Sequence, residues 1–222
     1  MIKFENTEVY GWEAAIRGMR NPMNSWDKSD SSFEPLFHEI YNIGPNDLEL
    51  MKSLIKSGSD HSKFMRMITV TVDITAPLYW WKEFDTYKVG TVRNSCSTMH
   101  KIHAKEFTLD DFSHEHLVDD FISDRQLSDN AKYLCDARGV LTIIMAHLNS
   151  LRENYLATKD KEYWYSMIQL LPSSYNQRAT VQVNYQVLRN MYHGRKNHKL
   201  DEWREGFCKW IESLPYSELI TE

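Results

Sequence analysis

Alternation of apolar and polar positions is clearest between Met67 and Ile74, where Ile68, Val70, Val72 and Ile74 alternate with Thr69, Thr71 and Asp73. Period two with β-branched residues throughout predicts a strand. Ahead of it, a short strand and then a helix over Val9, Trp12, Ala15 and Met19 are expected, the helix ending at Asn21-Pro22. Trp26 to Phe33 is polar and reads as a mobile surface loop, with a lid over a site as the alternative. Gly44-Pro45-Asn46-Asp47 reads as a turn and helix start, followed by Leu48, Leu50, Met51, Leu54 and Ile55 at helical spacing, with Gly58 closing the element. After the strand, Thr75-Ala76-Pro77 is expected to cap a helix lined by Trp80, Trp81, Phe84 and Tyr87. Val89 to Met99 reads as a structured loop. Leu134, Val140, Ile143, Ile144, Leu148 and Leu151 predict one long helix from Leu127 to Ala157, kinked at Gly139, and another covers Glu162 to Leu171. Leu200, Trp203, Phe207, Trp210 and Ile211 give an amphipathic closing helix before Pro215.

The most informative segment is Leu170-Leu171-Pro172-Ser173-Ser174-Tyr175-Asn176-Gln177-Arg178 and its continuation to Arg195. Pro172 and the Ser-Ser-Tyr-Asn cluster are read as stopping one helix and capping the next, which is expected to begin between Arg178 and Thr180. On that helix Val183, Val187, Leu188 and Met191 form a buried stripe. At about 100° per residue, Asn190 returns to within about 20° of Val183 and Arg195 to within about 20° of Asn184. Polar groups set into an apolar face must meet protein, water or ligand.

A chain of 222 residues suits one domain spanning 1–222. The net charge of −5 argues against DNA or RNA as a partner. Seven Trp among 13% aromatics fit a ring-built core, an oligomer interface or a flat-ligand site equally well. Cys96, Cys135 and Cys208 lie far apart, so neither a zinc site nor a disulfide framework is suggested, and a reducing cytoplasm is the expected setting. His114 and His116 among carboxylates lack a further matched ligand set, and no metal is expected. No apolar run suits a signal peptide or a membrane span, so a soluble protein is expected.

Leu171-Pro172, Arg178, Asn184, Asn190 and Arg195 together resemble the carboxy-terminal signature of the flavin-dependent thymidylate synthases. The segment His61-Ser-Lys-Phe-Met-Arg-Met67, the strand after it and Ala76-Pro77 resemble that family's central region. The family's Arg-His-Arg, seven residues and Ser fall on Thr86-Tyr87-Lys88, seven residues and Cys96. Met67, Asn94 and Thr98 likewise stand where the family has a histidine, a glutamate and an arginine. The resemblance implies an α/β (α+β) fold with a central sheet flanked by helices, assembled as a homotetramer. It implies nucleotide binding by Arg178 and Arg195 and flavin contacts from Asn184 and Asn190, with His61 and Tyr87 on the cofactor side. Its activity would be one-carbon transfer from methylene-tetrahydrofolate to the C5 of a pyrimidine nucleotide, with FAD and NADPH. The alternative is a non-catalytic nucleotide binder that sequesters or senses its ligand.

The Val89–Met99 loop adds Arg93, Asn94 and Ser97 as candidates for a phosphate or a polar base edge, although turns share this composition. Lys88 substitutes for an arginine as a point charge without its bidentate fork. Cys96 is a candidate nucleophile toward an electron-poor pyrimidine C6, with Lys88 or Arg93 able to favour its thiolate; a packing role is the alternative.

Overall fold

The computed structural model describes residues 2–33, 41–118 and 136–222. In chain order the elements are β1 (Lys3–Tyr10), α1 (Trp12–Arg20), β2 (Ser32–Phe33), β3 (Tyr41–Asn42), α2 (Pro45–Lys56), β4 (Thr69–Pro77), α3 (Leu78–Phe84) and β5 (Thr91–Ser95). They continue with α4 (Thr98–Lys101), α5 (Ala137–Thr158), α6 (Lys161–Leu170), β6 (Asn176–Asn184), α7 (Tyr185–Arg195), α8 (Cys208–Glu212) and α9 (Glu218–Thr221). A four-stranded sheet runs in the order β1-β4-β6-β5, and β2 pairs with β3 with Ser32 opposite Asn42. The expected mixture of a central sheet and helices is therefore present.

The chain forms two compact units. The first comprises Thr75–Phe84 and Ser95–Arg178; the second comprises Ile2–Ile74, Asp85–Asn94 and Ala179–Glu222. In the first, Ile102, Phe107, Phe112, Leu141, Leu148 and Met167 form one buried cluster, with α5 and α6 supplying its helical wall. In the second, Val70, Val72 and Ile74 of β4 and Val181 and Val183 of β6 are buried, alternating with Thr71, Asp73, Thr180 and Gln182. That alternation leaves one polar face, on which Asp73 accepts from Thr180 Oγ1 at 2.6 Å and from Asn6 Nδ2 at 2.8 Å.

Several expectations need correction. Val9 lies on β1, and α1 begins at Trp12 after Gly11, whose φ of +92° favours glycine. Thr75, Ala76 and Pro77 end β4 where a cap was expected, and Tyr87 lies beyond α3. The Val89–Met99 stretch contains β5 and the first residues of α4. The long helix starts at Ala137, where Asp136 accepts from Gly139 N at 2.7 Å; Gly139 thus sits in its first turn and marks no kink. The expected start of that helix over 127–135 lies outside the described residues, as do Asp119, Asp120 and Cys135. The largest correction concerns 178–184, which is strand, with α7 starting only at Tyr185. Val183 is buried by strand alternation, so the helical angles relating it to Asn190, and Asn184 to Arg195, do not apply. The cap belongs to Asn184, whose Oδ1 accepts from Val187 N at 3.0 Å.

The polar stretch Trp26–Phe33 is fastened, because it wraps a buried ion pair. Arg20 and Asp47 are 5% and 0% exposed, and Arg20 Nε donates to Asp47 Oδ1 at 2.7 Å. Arg20 also donates to the carbonyls of Ser25 and Lys28 at 3.1 and 3.0 Å. Asp47 Oδ2 accepts from the hydroxyls of Ser29 and Ser31, both at 2.6 Å. Asp30 in turn accepts from Asn46 N and Asp47 N at 2.9 and 3.1 Å, capping α2 from a distant part of the chain. Burial opposes ionisation of Asp47, but the two serine hydroxyls and the Arg20 guanidinium outweigh it and hold the carboxyl below its ordinary value.

Asp47→Ala would leave a buried guanidinium without its counter-charge, at a cost of about 3–5 kcal/mol. Its melting temperature should fall by roughly 6–20 °C, and an unchanged melt would contradict the pinning role. In the unfolded chain Asp47 protonates near pH ~3.9. Its depressed folded value means the stabilisation is complete above that pH and is lost as pH falls through the lower folded value. Acid titration of stability should therefore be flatter below pH ~4 for Asp47→Asn than for the unsubstituted protein.

Candidate functional site

In the first unit, β5 ends at Ser95 and the chain turns through Cys96 and Ser97 into α4, beside the start of β6. Cys96 N donates to Arg178 O at 2.8 Å, and Gln177 Nε2 donates to Cys96 O at 2.7 Å, which fixes both segments. Trp81 Nε1 donates to Gln177 O at 2.9 Å, and Ser97 Oγ accepts from His100 N at 3.1 Å to cap α4. Between them lies a cavity of about 380 Å³ lined by residues that include Cys96, Ser97, Thr98, Lys101, Lys105, Asp110, Asp111, Tyr175 and Arg178. Its size falls within the usual range for a small-molecule site, roughly 300–1,000 Å³.

Its wall mixes cations with one buried acid. Asp111 is 8% exposed, is paired with Lys105, and closes a capping box with Thr108, accepting from Thr108 N at 2.9 Å. Burial opposes the charge on Asp111, but Lys105 and Thr108 hold its carboxyl below the ordinary range, and the same contact raises Lys105. The Tyr175 phenol is raised by burial first and by Asp111 next, Lys105 opposing and Cys96 adding to the rise. Arrangements of this kind receive an anion at the cations and offer a thiol and a neutral phenol to the remainder of a ligand.

The second unit holds the other sequence candidates. Arg195 Nε donates to Tyr87 Oη at 2.9 Å, and its guanidinium carbon lies 5.4 Å from the Tyr87 ring centre and 4.9 Å from that of Trp203. Arg93 Nη1 lies 2.8 and 2.7 Å from the two carboxylate oxygens of Asp85. Lys88 and Asn94 are exposed. Gly90 has φ +76°, and a Cβ there would stand 3.0 Å from Asn184 Nδ2 and 3.1 Å from Val187 Cγ2. Asn190 Oδ1 accepts from Gln186 Nε2 at 3.3 Å, and Ser62 Oγ donates to Gln186 Oε1 at 3.2 Å, beside exposed His61.

Cys96, Ser97 and Arg178 are thus brought to one cavity, while Tyr87 and Arg195 meet within the second unit. Sequence reasoning missed Tyr175, Lys101, Lys105 and Asp111 as cavity residues and Trp203 as the partner of Arg195. Tyr175 was hidden because Ser-Ser-Tyr-Asn carries a strong punctuation signal, although it stands only three positions before Arg178. Among the described residues no group of three or more His, Cys, Asp or Glu could hold a metal ion, and no helix is long and apolar enough to cross a membrane.

No family model matches the chain, and no curated protein matches it in sequence. Solved structures match its fold. One is flavin-dependent thymidylate synthase ThyX from Helicobacter pylori, complexed with FAD and dUMP, at a TM-score of 0.64 and 16% identity, covering 99% of this chain and 97% of that one. A second structure of thymidylate synthase X from Helicobacter pylori, with FAD and dUMP, matches with TM-score 0.64 and 15% identity over 99% and 95% of the two chains. The chain therefore has the ThyX fold with a sequence far from these two.

A flavin would have to find its partners among His61, Tyr87, Asn184 and Asn190. Asn184 Oδ1 caps α7, Asn190 Oδ1 accepts from Gln186, and the Tyr87 hydroxyl accepts from Arg195. Thr86 brings no charge for a pyrophosphate, and Lys88 brings one exposed ammonium. Within one chain the Tyr87, Asn184 and Asn190 oxygens are engaged internally, and the amide N–H groups of Asn184 and Asn190 are the donors this set could turn to a flavin.

The Arg195 clasp should show in stability. Arg195→Ala removes a stacked cation and a hydrogen bond, together about 2 kcal/mol, and should lower the melting temperature by roughly 4–8 °C. Arg195→Lys keeps the charge without the planar stack and should fall between the two. Equal melting of all three proteins would exclude the clasp as a stabilising contact.

Proposed function

We propose that this chain binds a pyrimidine nucleotide in the cavity of Cys96, Ser97, Lys101, Lys105 and Arg178. The observation that carries the reading is the cavity itself, which Arg178 and Lys101 line together with Cys96. Arg178 and Lys101 take the phosphate as guanidinium and ammonium, and Ser97 and Thr98 border it with short polar side chains. The base is then left to Cys96 and the rest of the wall. The fold shared with proteins solved with FAD and dUMP supports a pyrimidine as the base.

In the first reading the nucleotide is held and not changed, as in a sequestering or sensing protein. The internal engagement of Tyr87, Asn184 and Asn190 favours it. In the second, the chain transfers a one-carbon unit from methylene-tetrahydrofolate to the pyrimidine C5, and the ThyX fold together with Cys96 in the cavity favours this. Thiolate addition at C6 would form the S–C6 bond and push the C5=C6 electron pair toward C5 and the C4 oxygen. C5 would then attack the methylene carbon of the donor; loss of the C5 proton would break the N–CH2 bond and release tetrahydrofolate. Water adding to the exocyclic methylene so formed would expel the thiolate from C6 and leave a hydroxymethyl group on C5.

Titration with dUMP by calorimetry tests the binding. Arg178→Ala should weaken it roughly 10- to 100-fold, the worth of hydrogen bonds to a charged group, and unchanged affinity would remove the cavity as the site. The two readings separate by colour and turnover. A protein that gains flavin absorbance with FAD, and whose Cys96→Ser variant binds dUMP but loses C5 transfer, belongs to the second. A protein that binds dUMP, stays colourless and shows no thermal shift with FAD belongs to the first.

A further inference from the structure

We propose that Tyr175 reads the base of the bound nucleotide, its hydroxyl donating a hydrogen bond to a pyrimidine ring carbonyl inside the first-unit cavity. The inference rests on that cavity being the nucleotide site.

Three consecutive polar side chains border the cavity at the entry to β6. Asn176 Nδ2 is spent on Asp110 O at 3.3 Å and Gln177 Nε2 on Cys96 O at 2.7 Å. Both amides donate to a backbone carbonyl of a neighbouring segment. The Tyr175 hydroxyl makes no hydrogen bond among the described residues, although the rest of the residue is held from every side. Its carbonyl accepts from Leu78 N at 3.0 Å and its N–H donates to Pro172 O at 3.0 Å. Its ring meets Phe107 and Phe112 edge-on, with centroids 6.2 and 5.8 Å away. A rigidly placed phenol with an uncommitted O–H is a built donor, for which little ordering entropy remains to be lost on binding.

Charge decides what that donor meets. Asp111 is buried and ionised next to Tyr175, and its carboxylate repels a phosphate dianion. Lys105 is paired with Asp111, and Arg178 and Lys101 are the other cations that line the cavity, beside the exposed Asp110. A neutral carbonyl of the base suits the space beside a phenol and a shielded carboxylate. Cys96 lines the same cavity as Tyr175.

One ligand carries both reporters. 5-Fluoro-dUMP is titrated into the protein and into Tyr175→Phe and Arg178→Ala, with the bound 19F and 31P resonances followed together. Phenylalanine keeps the ring contacts, so the melting curve of Tyr175→Phe should match that of the unsubstituted protein. Its affinity should fall about 3- to 10-fold, the worth of one hydrogen bond between neutral groups. The bound 19F resonance should move while 31P stays; Arg178→Ala should move 31P. Unchanged affinity in Tyr175→Phe, or a shift confined to 31P, overturns the assignment of Tyr175 and leaves the cavity standing as the nucleotide site. Absence of any binding by the unsubstituted protein overturns the cavity reading and this inference with it.

Discussion

An amide oxygen governs the part of this molecule that carries most of its candidate chemistry. Asn184 ends β6 in extended conformation and accepts from Val187 N at 3.0 Å, so strand becomes helix within one residue. Because 176–184 is strand, Arg178, Thr180 and Gln182 share the exposed face, and Ala179, Val181 and Val183 go to the core. Were the same residues helical, Arg178 and Cys96 would lose the Cys96 N to Arg178 O bond that closes the cavity wall. A Cβ at Gly90 would press on the Asn184 amide and Val187, and its φ of +76° favours glycine on the approach to β5.

A second constraint acts in the amino-terminal half of the second unit. Burying Arg20 and Asp47 costs several kcal/mol per ion, and only full hydrogen bonding offsets it. The chain supplies that bonding from Ser25, Lys28, Ser29 and Ser31, so a stretch whose composition reads as solvated loop is ordered by the charges it surrounds. Composition describes what a segment prefers when alone, and a buried carboxylate changes its company.

Legibility in the sequence followed the range of the interactions. β4, α2 and α6 were readable because periodicity and local turn residues decide them, and the structure places them within a few residues of expectation. The 178–184 error arose because Val183, Val187, Leu188 and Met191 satisfy a helical period while Ala179, Val181 and Val183 satisfy a strand period; pairing with neighbouring strands, which no local window contains, settles the conflict. Of the candidate site, Cys96 and Arg178 were visible from the resemblance and Ser97 from the composition of the Val89–Met99 stretch. Lys101, Lys105, Asp111 and Tyr175 were not, since an ordinary lysine or tyrosine gains meaning only when a cavity is closed around it.

The Thr86-Tyr87-Lys88 stretch carries a residue with a structural role of its own. Tyr87 supplies a ring and a hydroxyl to Arg195, and Trp203, fully buried at 0% exposure, completes the clasp from the π-helical turn Glu202–Phe207. A histidine at 87 would offer a smaller ring and a nitrogen in place of the phenol oxygen, so the aromatic clasp depends on the residue that departs from the family pattern. The arginine then contributes through stacking and a hydrogen bond within its own unit, independent of any ligand. Such a substitution can be kept by selection on stability alone. Agreement at Arg195 is therefore weaker evidence for an inherited ligand than agreement at Arg178, which lines a cavity.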